Sequence, residues 1–94
     1  MNKGTAFICK TSGKRLVFIL LDRIGVEKST HLNEYSVAEF EFGANGESGI
    51  RSRCVAIDSL QQEVHIYNER YRVKQVSLLE LESEFPEERF TKEY

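Results

Sequence analysis

Ninety-four residues, 40% hydrophobic and 30% charged, describe a small globular unit rather than a disordered chain. The net charge of −2 argues against a generic polyanion binder, yet it is uneven: residues 1–33 carry +4, 34–49 carry −4, 50–76 carry +2 and 77–94 carry −4. The start "MNKGTAFICK" lacks the apolar stretch of a signal peptide, and the run "LVFILL" at 16–21 is far short of the roughly 20 residues of a membrane helix.

One proline, six glycines, and no repeat or low-complexity tract lead us to expect a single domain over 1–94. Such a chain buries only about 60–65% of the surface its unfolded form exposes, so its margin of stability is thin. Without a secretion signal, Cys9 and Cys54 are expected to be reduced, buried thiols in the cytoplasm.

"TAFICK" (5–10) and "KRLVFILLD" (14–22) flank the turn "TSG" and read as an antiparallel pair of strands. Leu16, Phe18 and Leu20 point one way, and Val17, Ile19 and Leu21 the other. Such a strand needs cover on both faces, from barrel closure, a helix or a second subunit. "RIGVEKSTHLN" (23–33) reads as a polar loop.

"EYSVAEFEF" (34–42) and "IRSRCVAI" (50–57) form a second pair around "GANGESG". Setting Phe42 opposite Ile50 brings Glu41 to Arg51 and Glu39 to Arg53. Farther along, Val37 and Tyr35 make that same face apolar, which predicts a bent hairpin or a bulge near Val37–Ala38. In "HIYNERYRVKQV" (65–76), a turn at Asn68-Glu69 pairs Ile66 with Tyr71 and Val64 with Val73. The other face then holds Glu63 with Lys74, His65 with Arg72 and Tyr67 with Arg70.

"SLLELESEF" (77–85) opens with a capping box, Ser77 to Glu80, and aligns Leu78, Leu81 and Phe85 on one face. Pro86 predicts a helix end near Glu84 or Phe85. Residues 86–94 form a further turn or an acidic, frayed tail.

These elements predict an α+β fold, mainly β. Five or six antiparallel strands form a strongly bent sheet or a small, partly open barrel, with a short C-terminal helix. Short strands followed by "YRVKQVSLLELE" resemble the layout of SH3-like barrels, where a final strand meets a short helical turn. That resemblance implies a fold and carries no function.

Four chemistries can be weighed. Tyr67, Arg70, Arg72 and Lys74 interleave aromatic and basic groups, as a nucleic-acid-binding strand does, or as the wet face of a hairpin does. Cys9, His31, Cys54 and His65 have the composition of a zinc site but none of its short ligand spacings, so no metal or cofactor is expected.

Cys54 with His65 or His31 has no motif that marks catalysis, "GANGESG" lacks the ending of a P-loop, and the glutamates at 80–88 read as a solvated helix side; no enzyme is expected. The surplus of apolar surface is the positive signal. It points to a non-enzymatic binding or assembly module, self-associating as a dimer or taking a protein or peptide partner. The alternatives are a nucleic-acid-binding barrel using the hairpin 65–74, or a small-molecule pocket in a barrel mouth.

Overall fold

The computed structural model describes residues 2–11, 14–25, 31–43 and 48–85. Seven antiparallel strands follow in chain order: β1 (Ala6–Thr11), β2 (Lys14–Arg23), β3 (Leu32–Gly43), β4 (Ser48–Asp58), β5 (Glu63–Ile66), β6 (Glu69–Arg72) and β7 (Lys74–Val76). One helix, α1 (Leu78–Glu84), comes last, and the sheet order is β6-β5-β4-β3-β2-β1-β7. The expected mainly-β architecture with a short C-terminal helix is present, with one or two strands more than the predicted five or six.

The extra strand has a simple origin. The segment 69–76 divides at Val73, so that β6 pairs with β5 at one edge of the sheet and β7 pairs with β1 at the other. At the break, the Val73 amide donates to the Gln62 carbonyl at 2.9 Å. A single stretch of chain thereby joins both edges and nearly closes a barrel. The seam stays open where β1 runs past Ile8, its last residue paired with β7.

β2 accounts for the rest of the layering. Leu16, Phe18 and Leu20 face the interior with Phe7, Val37, Ile57 and Val64, whereas Val17 and Ile19 lie on the outer face with Ala6, Ile8, Phe40 and Leu81. The two-sided apolar strand is therefore covered within its own chain, by barrel curvature on one side and by α1 on the other. Each of those side chains contributes about 1.5–3 kcal/mol by leaving water.

Seven residues of helix have little stability of their own, so α1 depends on docking and capping. Leu81 is buried beneath it, and the Phe85 ring stacks on Phe42 at 4.3 Å. The Ser77 hydroxyl accepts from the Glu80 amide at 3.1 Å, and the Glu80 carboxylate accepts from the Ser77 amide at 3.3 Å, which completes the predicted capping box. Ser77→Ala is expected to lower stability by about 1 kcal/mol, readable as a drop in urea midpoint at unchanged slope.

Both predicted hairpin registers are off by two residues, and both keep the predicted faces. Ile50 pairs with Phe40 rather than Phe42, so Glu39 stands opposite Arg51 and Glu41 opposite Gly49. In the second hairpin Ile66 pairs with Glu69 and Val64 with Tyr71, which places the turn at Tyr67–Asn68 instead of Asn68–Glu69. Tyr67 adopts a positive φ of 56° there, the conformation that tight hairpin turns require and that glycine or asparagine usually supplies.

The irregularity expected in β3 near Val37–Ala38 lies instead on the facing strand, between Leu20 and Asp22 of β2. β3 begins at Leu32, inside the predicted loop. The expected turn or frayed tail over 86–94 falls outside the described residues, as does most of the loop 43–49.

Candidate functional site

The helix follows β7 after one residue, and this tight connection leaves a groove of about 840 Å³ between them. Ile8, Val73, Val76 and Leu81 make its apolar floor. Lys10, Arg72 and Lys74 stand along the strand side, with Glu80 and Glu84 along the helix side. Lys10 reaches Glu84 across one end at 3.0 Å. Leu79, at the lip, is 76% exposed, in contrast to Leu81 two residues on. Val73 belongs to the interior cluster and also lines the groove, so the groove lies over the open seam.

A second polar constellation occupies the interior face of β3 and β4. Glu39 is only 2% exposed and accepts from Arg51 Nε at 2.6 Å and from Arg53 Nη1 at 3.1 Å. One buried carboxylate thus holds two guanidinium groups. The hydrogen bond to Glu39, followed by its charge, pushes the Arg51 guanidinium pKa further above its ordinary value. Arg53 also lies over the Tyr67 ring, 6.0 Å from its centroid. The Tyr71 hydroxyl donates to Glu69, and that bond, with some desolvation, raises the phenol pKa.

The four residues nominated for nucleic-acid contact do not act as one row. Arg70, Arg72 and Lys74 are exposed and alternate along the outer side of the closing segment. Tyr67 sits at the hairpin turn beside Arg53, so the expected pairing of Tyr67 with Arg70 is replaced by Arg53 over the Tyr67 ring. Cross-strand, Arg70 stands opposite His65 and Arg72 opposite Glu63.

The four zinc-type residues are likewise dispersed. Cys9 is buried in the interior as expected, and desolvation raises its thiol pKa; Cys54, expected to be buried too, is instead an exposed free thiol on β4. His31 is exposed ahead of β3, and His65 contacts Glu63 at 3.3 Å on β5. Among the described residues Cys54 makes no hydrogen bond to His65, whose Nε2 faces Glu63 instead.

The groove itself was not visible in the sequence. The glutamates from Glu80 on read as a solvated helix side, and only the structure sets the exposed Leu79 apart from the buried Leu81. Compared with known protein families, curated proteins and solved structures, the chain matches none. No helix among the described residues is long and apolar enough to cross a membrane.

Proposed function

We propose that this protein is a non-enzymatic, cytoplasmic binding and assembly module that self-associates through the groove between β7 and α1. The observation that carries the reading is the opposite charge of the two sides of that groove, Lys10, Arg72 and Lys74 against Glu80 and Glu84. A peptide of one charge sign meets one attractive and one repulsive side. A second copy related by a two-fold axis sets each acidic side on a basic one, the self-complementarity an isologous dimer needs. The exposed Leu79 then gains an apolar floor. The strand 16–21, which first suggested a subunit interface, is no longer required for this, because its own chain covers it.

Sedimentation velocity over a hundredfold range of concentration tests the reading. The expected result is a monomer–dimer equilibrium that Leu79→Glu abolishes and that added salt weakens, as screening of exposed charges demands. A strict monomer at the highest concentration, or a dimer indifferent to Leu79→Glu, overturns it.

One observation favours a second reading. Arg70, Arg72 and Lys74 are exposed, and none forms an ion pair among the described residues. Nucleic-acid binding through them predicts steeply salt-dependent affinity for a single-stranded oligonucleotide.

A further inference from the structure

On the outer face of the β4–β5 hairpin, three residues with metal-ligand chemistry converge. Asp58 pairs with Glu63 across the strands, and His65 lies two residues farther along β5 on the same side. One ligand atom from each, two carboxylate oxygens and an imidazole nitrogen, lie within 4.8 Å of one another. From this we infer that Asp58, Glu63 and His65 form a binding site for a divalent first-row transition cation, independent of the groove.

The surroundings support the assignment. Asp58 is 5% exposed, and its Oδ1 accepts from the Leu60 and Gln61 amides at 3.0 and 2.9 Å. Those bonds fix the carboxylate through Oδ1 and leave Oδ2 without a hydrogen bond from the described residues, the kind of outer support that orients a metal ligand. Two carboxylates facing each other across antiparallel strands repel. His65 stands beside this pair, its Nε2 at 3.3 Å from Glu63, with both side chains 19% exposed.

Metal–ligand bonds of about 2.0–2.2 Å put adjacent ligand atoms about 3–3.5 Å apart, so small rotations of Glu63 and His65 complete the set. Two carboxylates and one imidazole select a zinc- or manganese-type ion over magnesium or calcium. Arg70 and Arg72, opposite His65 and Glu63, add positive charge nearby and weaken the affinity.

The test is calorimetric titration of the untagged Cys54→Ser protein with zinc chloride, with the His65 imidazole resonances followed by NMR. Cys54→Ser removes the exposed thiol as a competing ligand. The expected result is one site, a shift of the His65 ring nitrogens, at least tenfold weaker binding in His65→Ala, and severalfold tighter binding in Arg72→Ala. Absence of binding, or affinity unchanged in His65→Ala, overturns the assignment. Should His65→Ala fail to give the native circular dichroism spectrum, Glu63→Gln replaces it, with the same tenfold criterion.

Discussion

Replacing Arg53 by methionine is expected to remove about 3 kcal/mol of stability, a fall in melting temperature of roughly 10–25 °C for a chain of this size. The cause is what remains behind. Glu39 is nearly inaccessible and depends on Arg51 and Arg53 for its compensation, and Arg53 is the more enclosed of the two, with a side chain 20% exposed against 60% for Arg51. Removing Arg53 leaves this buried carboxylate with only the exposed Arg51 among the described residues, beside the strand β2 that carries Phe18, the residue registered against Glu39.

Breaking a buried pair costs far more than never having had one. The double variant Glu39→Leu/Arg53→Met is therefore expected to regain most of the loss. Arg51→Ala, at an exposed position, is expected to have the smallest effect of the series. Chemical denaturation of the three variants checks the ranking. If the double variant is no more stable than Arg53→Met alone, the stranded carboxylate is not the source.

The second large effect belongs to Leu81→Glu. Truncating a buried leucine costs about 2–5 kcal/mol, and a carboxylate in its place adds a desolvation penalty that only undocking relieves. α1 is too short to persist once undocked. Its departure uncovers Val17, Ile19, Ala38 and Phe40, all at most 2% exposed in the intact protein. We expect a loss above 3 kcal/mol, enhanced binding of a hydrophobic dye, and aggregation at concentrations the parent tolerates. Leu79→Glu, two residues earlier on the open side, is the control and leaves stability within about 0.5 kcal/mol. Equal stabilities for the Leu81 and Leu79 variants would show that the helix does not cover the sheet.

What was legible in the sequence follows from the physics of each signal. The two-sided apolar strand at 16–21 and the box from Ser77 to Glu80 were legible because alternation and capping are local. Faces were legible in both hairpins, since side chains alternate with period two. Register was not, because a slip of two residues leaves every face unchanged. In the first hairpin two carboxylates and two guanidiniums suggested two separate pairs, whereas Glu39 takes both arginines.

In the second hairpin nothing in Tyr67 announces a positive φ, and the turn moved with it. The groove depends on the angle at which α1 leaves β7, and the Asp58–Glu63–His65 cluster on the turn that brings Asp58 back beside Glu63. Neither has a pattern of its own along the chain.

The division at Val73 also bears on the order in which the molecule assembles. The hairpins from β1 through β6 join neighbours along the chain, and each can form without waiting for the rest. Pairing of β1 with β7 links Ala6 to Val76 and must close a loop of nearly the whole domain. That closure carries the largest entropic cost of the strand pairings, so it is expected to come late in folding. The same three-residue ladder is the first to open, and amide protons of β7 exchange with solvent ahead of those in β3 at the centre of the sheet.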